Sequence, residues 1–293
     1  MPPLFVVQQQ LKHGVTNPIV ARLSVQTLDI LRQCDIEEDT RSKIEAIYTT
    51  ELLPTLLRCW EIQRRLQAEY DKCVASYKPP ASGDVSVELP QILSLEQECR
   101  DFVYEAKNYL RDLLKVFNLL YGTDFKEGSE WARAAKKSRQ SVMEFVAATF
   151  GAGHANTTYF EQMPTCILPY VDMRNAVDHP NGYSGQPKIT NFTFDAQGTL
   201  TAPVWSREKD GKAIYGPLPI LREMEVGVHN LMVLGEDVAI MWALAHLSMP
   251  GITEVTVVPE SSRNPQCPIK YRVTPSAAVL NQLANLETRK ANR

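Results

Sequence analysis

The stretch that decides the fold is PYVDMRNAVDHP, which runs from Pro169 to Pro180 and is followed by Asn181-Gly182. Pro169 suits the first turn of a helix, because the N–H that proline lacks would have no partner there. Pro180 and Asn181-Gly182 do not continue a helix. The sequence therefore predicts a short helix that begins near Pro169 and stops before Pro180.

On a helical wheel this segment separates into a polar and an apolar side. The polar side covers an arc of about 160° at about 100° per residue, and it comprises Arg174, Asp178, Asn175, His179 and Asp172. The opposite side is formed by Ala176, Met173, Val177 and Tyr170, and Val171 is the one apolar residue within the polar arc. The apolar side predicts packing against a core. The polar side indicates either a salt-bridged helix terminus or an active site.

Two interpretations of the polar group are open. Arg174 and Asp178 are four residues apart, a spacing typical of an ordinary ion pair on a helix surface. His179 in a last turn interacts favourably with the helix dipole. Asn175, however, is a poor helix former that lies one turn before His179 on the same face. Such a residue at this place favours a functional role for the group.

The hexapeptide RNAVDH at 174–179 resembles the signature of the HEPN superfamily, the higher eukaryotes and prokaryotes nucleotide-binding domains. That signature is an arginine, a polar residue that is often asparagine, a few further positions and then a histidine, set in an all-helical bundle. The resemblance implies a helical bundle around this helix and a homodimer in which two such helices meet at a cleft. It covers the six motif residues and their helical context, and it leaves the C-terminal part of the chain unexplained.

The chemistry implied by the resemblance is RNA cleavage without a metal or cofactor. This reaction needs a base for the 2′-hydroxyl proton, a cation for the charged phosphorus centre and an acid for the leaving 5′-oxygen. His179 would be the acid or base, since histidine titrates near neutral pH, and Arg174 would bind and stabilise the phosphate. Asn175 would orient His179 or the phosphate. Asp178 would hold Arg174, and Tyr183 has two interpretations, stacking on a base or ordinary packing.

Composition and charge limit the classes of function. The 293 residues carry a net charge of −3 with a pI near 6.0. This charge counts against a protein that coats nucleic acid non-specifically, but little against an enzyme that contacts a few phosphates. No apolar run approaches the roughly 20 residues of a membrane span, and the N-terminus lacks the pattern of a signal peptide. We therefore expect a cytoplasmic protein without membrane contact.

Other site chemistries lack a signal in the sequence. The six cysteines show no Cys-x-x-Cys spacing and are interpreted as reduced, mostly buried thiols. No phosphate-binding P-loop, Gly-x-Gly-x-x-Gly, His-Glu-x-x-His or Gly-x-Ser-x-Gly motif is present. Aspartates and glutamates are spread along the helical patterns without a cluster. The sequence therefore predicts neither a metal site nor a cofactor.

Long amphipathic patterns precede the motif and predict helices. Their predicted ranges are 17–34, about 36–77 with a kink or division at Pro54, about 90–122 as the central helix, and 129–151. The last of these carries the densest basic cluster of the chain, formed by Arg133, Lys136, Lys137 and Arg139. A charge run of this kind is usually a solvated face. The functional interpretation is a patch that steers RNA phosphates towards the motif.

After Pro180 the helical spacing of apolar residues gives way to alternating residues. Alternating residues predict strands at 188–194, 199–205 and 213–215, with turns at 195–198 and 210–211. A helix is predicted at 217–247, two short strands at 254–258 and 269–273, and a final helix at 276–289. The predicted fold is mainly α, with a HEPN-like helical bundle at 1–182. A C-terminal α+β part with short antiparallel strands is predicted at 183–293, and it can pack with the bundle as one unit.

The leading hypothesis is a HEPN-like, metal-independent endoribonuclease that acts as a homodimer in a toxin or defence setting. Its expected partners are RNA, a second copy of the chain, and an antitoxin or other protein. A rival hypothesis is a non-catalytic HEPN-like module that binds a nucleotide or a protein. A third is that the hexapeptide is coincidental in a helical protein of another purpose.

Overall fold

Helices account for 58% of the computed structural model, which describes residues 12–79, 88–135 and 140–282. The α-helices are α1 (Pro18–Val20), α2 (Thr27–Arg32), α3 (Glu38–Ile47), α4 (Leu53–Ser76), α5 (Leu95–Tyr121), α6 (Val142–Phe150), α7 (Ala155–Asp178) and α8 (Ile220–Ala243). The strands are β1 (Gln186–Thr190), β2 (Thr193–Phe194), β3 (Leu200–Thr201), β4 (Val204–Lys209), β5 (Lys212–Pro219), β6 (Thr253–Val257) and β7 (Tyr271–Pro275). The predicted mainly α class with a C-terminal α+β part is confirmed.

The central helix α5 follows the predicted stripe of apolar residues. It begins at Leu95, slightly later than predicted, and ends where Gly122 adopts a left-handed backbone conformation with φ +67°. Glycine is the residue that takes this conformation without steric cost. The buried Phe117 near its end is surrounded by aromatic rings, namely those of Tyr121, Phe125, Trp131, Phe145 and Phe160. This apolar cluster fixes α5 against α6 and α7.

The predicted long helix at 36–77 runs without a break from Glu38 to Ser76, but a π-helical turn at Tyr48–Leu52 interrupts its α-helical geometry between α3 and α4. The interruption lies beside Pro54, where the sequence predicts a kink or a division. Proline has no N–H to donate, and π-helical turns are common where α-helical hydrogen bonding is locally lost. A second π-helical turn, Ala21–Gln26, lies between α1 and α2. The predicted helix at 17–34 is therefore α-helical only at its two ends.

The helix predicted from Ser129 to Gly151 is wrong in its first half. Gly128–Trp131 forms a 3-10 turn, and α6 begins only at Val142. Ser141 caps α6 in a reciprocal capping box with Glu144, and this local start signal overrides the apolar spacing that appeared to continue through it. Lys136, Lys137 and Arg139 lie outside the described residues. Arg133 is described and is not on a helix.

The motif helix α7 is twice as long as the sequence predicts. It begins at Ala155, where the His154 side chain caps the first turn by accepting from the Asn156 N–H. Pro164 and Pro169 lie inside it, so the prediction that Pro169 marks the start is wrong. Each proline removes one helical hydrogen bond, and the buried apolar side of α7 compensates for this loss. The predicted end is confirmed, because α7 stops at Asp178.

Short antiparallel strands follow the motif helix. One sheet has the order β1-β4-β5, and β2 pairs with β3 and β6 with β7 in separate hairpins. The predicted strand at 188–194 is interrupted at Asn191, whose side chain bonds the backbone N–H and carbonyl of Ile92 instead. Turns are present at 195–198 and 210–211, as predicted. Of the predicted final helix, residues 277–282 are helical and the remainder lies outside the described residues.

The chain divides into two compact units. One contains the described residues of 1–54 and 234–293, and the other contains the described residues of 55–233. The predicted boundary at residue 182 falls inside the second unit, because β1 packs against α7 there. Helix α8 contributes residues to both units. Among the helices that the structure describes, none is both long and apolar enough to cross a lipid bilayer.

Candidate functional site

The last two turns of α7 carry the predicted site residues within the unit formed by 55–233. His179 is the C-cap residue, and its backbone N–H donates to the carbonyl of Asn175 at 2.9 Å. Its side chain is exposed to solvent. Within the described parts of the chain, no side chain forms a hydrogen bond or ion pair with the imidazole of His179. The imidazole is thus open to an incoming ligand.

Arg174 forms the ion pair with Asp178 that the spacing predicted. The guanidinium carbon lies 5.2 Å from the centre of the Tyr104 ring, within the range of a cation–π contact. The Tyr104 hydroxyl donates to Asp178, and this hydrogen bond is the largest of the effects that raise the pKa of Tyr104. Arg174 is 26% exposed, so it is held in place but reachable. Tyr104 lies on α5, and no motif in the sequence indicated its role.

Asn175 is more deeply placed than the helical wheel predicted. It is 9% exposed, and its carbonyl oxygen accepts from the Lys107 ammonium at 2.9 Å. Its amide nitrogen donates to the Tyr183 hydroxyl at 2.6 Å. Within the described residues the Asn175 side chain therefore bonds Lys107 and Tyr183, and no side-chain hydrogen bond joins it to His179, one of its two predicted partners. A phosphate, the other predicted partner, stays a prediction. The partners explain why a poor helix former occupies this position.

Lys107 adds a cation to the site from the central helix. It is partly buried, and this burial is the main reason why its pKa lies below the usual value for lysine. The positive charge of Arg174 lowers the pKa of Lys107 further. Two cations are thus held near one another at the end of α7, an arrangement that a bound anion would relieve. Lys107 belongs to the polar side of α5, and periodicity alone did not distinguish it from other surface lysines.

A tight turn brings Tyr183 back to the helix that the chain has just left. The Gly182 N–H donates to the His179 carbonyl at 2.9 Å, and Asn181 takes a left-handed conformation with φ +67°. A Cβ atom at Gly182 would lie 2.9 Å from that carbonyl oxygen and 3.4 Å from the His179 Cβ. The backbone therefore passes directly over His179. Tyr183, whose ring is 65% exposed, follows at once.

Asp172 anchors the inner side of the site. Arg133 donates to both of its carboxylate oxygens, at 2.7 and 2.9 Å. Arg207 on β4 approaches the same carboxylate at 3.4 Å and donates to the Ser184 carbonyl at 3.1 Å. Burial lowers the pKa of Arg207, while Asp172 acts in the opposite direction. Arg133, predicted as part of a basic surface patch, is thus a tethered residue whose side chain remains 44% exposed.

The site has an excess of positive charge. The cations bonded in the site are Lys107, Arg133, Arg174 and Arg207, and the carboxylates bonded there are Asp172 and Asp178. Glu127 and Arg111 also act on Lys107 through their charges, in opposite directions. Among the bonded groups, four cations against two carboxylates leave a local surplus, although the chain as a whole has a charge of −3. Such a surplus beside an exposed imidazole suits a phosphate-containing ligand.

Metal ligation has no candidate in the described residues. Across 12–79, 88–135 and 140–282, no group of three or more His, Cys, Asp or Glu side chains is arranged to hold a metal ion. The residues present suit an anion instead.

Comparisons with models of known protein families, with curated proteins and with solved structures find no match to this chain. The function must therefore be inferred from the geometry and chemistry of the site itself.

Proposed function

We propose that the chain is a HEPN-like, metal-independent endoribonuclease that acts as a homodimer. The observation that carries the proposal is an exposed imidazole, His179, at the end of α7, where Arg174 lies on the same helix and Lys107 of α5 bonds Asn175. A proton-transfer group beside a surplus of cations is what cleavage of a phosphodiester by its own 2′-hydroxyl requires. RNA is the substrate class because DNA lacks that hydroxyl.

Each residue has a defined task in this reaction. His179 accepts the proton of the 2′-hydroxyl as the 2′-oxygen attacks phosphorus. Arg174 and Lys107 stabilise the negative charge that accumulates on the phosphorus centre. A guanidinium has five N–H donors, so the ion pair with Asp178 leaves N–H groups of Arg174 for phosphate. Asp178, itself held by Tyr104, positions the guanidinium.

A second copy of the chain completes the proposal. One His179 and one Arg174 per chain are few for a reaction that needs a base, an acid and a phosphate-binding cation. Two α7 ends that face each other across a cleft would double these groups. This dimer, a toxin or defence role, and an antitoxin or other protein partner follow from the resemblance to the HEPN superfamily.

A specific observation favours a second candidate, a non-catalytic HEPN-like module that binds a nucleotide or a protein. Both polar atoms of the Asn175 side chain, the second residue of the motif, bond protein groups: the oxygen accepts from Lys107, and the nitrogen donates to Tyr183. In this alternative the polar group serves to shape a cationic surface, and His179 only contacts the ligand. The surplus of positive charge then selects a phosphate group or an acidic protein segment.

The two functions are separated by incubating the purified protein with RNA in the presence of EDTA. Cleavage products with 2′,3′-cyclic phosphate ends are expected from the enzyme, and intact RNA is expected from the binding module. His179→Ala and Arg174→Ala should each lower the cleavage rate by at least about 10²-fold, the usual scale for losing a proton-transfer or charge-stabilising group.

Matched controls come from α8 of the same unit. His229→Ala and Arg222→Ala remove an exposed histidine and an exposed arginine away from the motif, so cleavage should be unchanged. Circular dichroism checks that all four variants are folded. Undiminished cleavage by His179→Ala or by Arg174→Ala would contradict the proposed function.

The shared site is tested with the same two inactive variants. If each site combines groups from two chains, a mixture of His179→Ala and Arg174→Ala protein should regain part of the activity that neither shows alone. No regained activity, once native mass spectrometry shows that mixed dimers have formed, would contradict the dimeric site.

A further inference from the structure

The Tyr183 hydroxyl is held in one place although most of its ring is exposed. The phenolic oxygen accepts from the Asn175 amide at 2.6 Å, and Asn175 in turn accepts from the Lys107 ammonium at 2.9 Å. The phenolic proton is not used in this chain of hydrogen bonds. The hydroxyl is therefore positioned by Asn175, and its own O–H is left for another acceptor.

The turn after α7 places this hydroxyl at the helix end that carries His179. The His179 N–H bonds the carbonyl of Asn175, so the two residues are one turn apart at the end of α7. Gly182 lies close to the Cβ of His179, and the next residue, Tyr183, reaches back to Asn175. His179 and Tyr183 are therefore both held at this helix end.

Two guanidinium groups from other elements lie near Tyr183. Arg207 donates to the carbonyl of the next residue, Ser184, at 3.1 Å. Arg133 and Arg207 both bond Asp172, which lies on the same helix as Asn175. The phenol is thus placed on the cationic side of the helix end.

We propose that Tyr183 is the general acid of the site, an inference that rests on the proposed ribonuclease function. The 2′-oxygen of RNA attacks phosphorus, and its proton passes to His179. The bond between phosphorus and the 5′-oxygen breaks, and the Tyr183 hydroxyl gives its proton to that oxygen. The products are a 2′,3′-cyclic phosphate, a free 5′-hydroxyl, an imidazolium and a phenolate. The imidazolium proton then returns to the phenolate through water.

The proposal gives Asn175 and Lys107 a further task, because their hydrogen bonds position the phenol. The turn at 180–182 brings Tyr183 to the helix end. The rival source of the leaving-group proton is a second copy of His179 in the dimer. The two sources predict different cleavage rates for a variant in which Tyr183 lacks its hydroxyl oxygen.

The test compares two substrates with Tyr183→Phe, which keeps the ring and removes the proton. One substrate is a short RNA, whose 5′-oxygen is a poor leaving group and needs an acid. The other is the 3′-(4-nitrophenyl phosphate) ester of each of the four ribonucleosides, whose nitrophenolate leaves without an acid. We expect Tyr183→Phe to cleave RNA at least about 10²-fold more slowly than the unaltered protein and to cleave the ester at nearly the same rate.

Two further variants serve as controls. His179→Ala should be slow on both substrates, because both need a base for the 2′-hydroxyl. Tyr70→Phe makes the same chemical change at a ring that stacks on Phe192, and both rates should be unchanged.

The outcomes are distinct. Equal slowing of Tyr183→Phe on both substrates would mean a structural effect, and no slowing on RNA would assign the acid to a second His179. Either result overturns the inference while the proposed function stands. If the unaltered protein cleaves neither substrate, the proposed function fails and the inference fails with it.

Discussion

At the scale of single residues, Gly182 leaves little room for a side chain. Its N–H closes the turn onto the His179 carbonyl, and its missing side chain lets the backbone pass over that residue. The oxygen that a Cβ atom would meet at 2.9 Å belongs to the backbone, so it cannot rotate away as a side chain would. The turn can accept a larger residue only if His179 or Tyr183 moves.

We therefore predict that Gly182→Ala lowers RNA cleavage by about 10-fold or more, since a small displacement of reacting groups is costly. The loss of folding free energy should be about 1 kcal/mol, as is usual for a single substitution. Cleavage assays and urea denaturation measure the two effects. Gly14→Ala is the control, because a Cβ atom there would meet nothing within 4 Å. Full activity of Gly182→Ala would show that the turn does not position the site.

The sequence did not reveal the site contacts between residues that are far apart in the chain. The motif residues Arg174, Asp178 and His179 were visible because one helical turn relates them. Lys107 reaches Asn175 from another helix, and Tyr104 reaches Asp178 in the same way. No local spacing encodes such contacts, because they depend on how α5 packs against α7.

At the scale of elements, Asp172 joins three parts of the second unit. Its carboxylate lies on α7 and bonds Arg133, near the 3-10 turn, and Arg207 on β4. Both Asp172 and Arg207 have side chains that are only 10% exposed. A buried guanidinium depends on its counter-charge, because water cannot replace it.

We predict that Asp172→Ala destabilises the protein by about 3–5 kcal/mol, because it leaves Arg207 buried without its carboxylate. Urea denaturation followed by circular dichroism measures the change. Asp178→Ala is the matched control on the same helix, and its partner Arg174 is more exposed, so we expect a clearly smaller loss. Equal losses of folding free energy for the two variants would show that burial of the Asp172–Arg207 ion pair does not increase its contribution to stability.

Helix boundaries were predicted unevenly, and each error has a local cause. The end of α7 was correct because Pro180 and Gly182 exclude a helix. Its start was missed because Pro169 was interpreted as a first-turn residue, whereas it is tolerated within a helix with a strongly buried side. The division before α6 was missed although Ser141 and Glu144 form a recognisable capping box. In the structure α6 begins at this capping box and not where the apolar periodicity predicts a helix.

At the scale of the whole molecule, each compact unit contains phenols withdrawn from water. Tyr48, in the unit that includes residues 12–54, donates to the Gly235 carbonyl at 2.6 Å. Tyr170 and Tyr215, in the other unit, both donate to Glu223, the first to its backbone carbonyl and the second to its carboxylate. Burial is the main cause that raises the pKa of all three phenols. Nearby carboxylates raise these pKa values further.

These shifts predict how the protein responds to alkaline pH. A phenol whose pKa is higher in the folded than in the unfolded chain stabilises the folded state. This stabilisation is fully present at pH values below the phenol's pKa in the unfolded chain, about 10. Above that pH the unfolded chain loses phenolic protons that the folded chain retains, so the stability of both units should fall as pH rises. Phenolate absorbance and circular dichroism, followed together, should show that these tyrosines ionise only as the helices melt. Ionisation of all 11 tyrosines near pH 10 with the helical signal intact would contradict the burial of the three phenols.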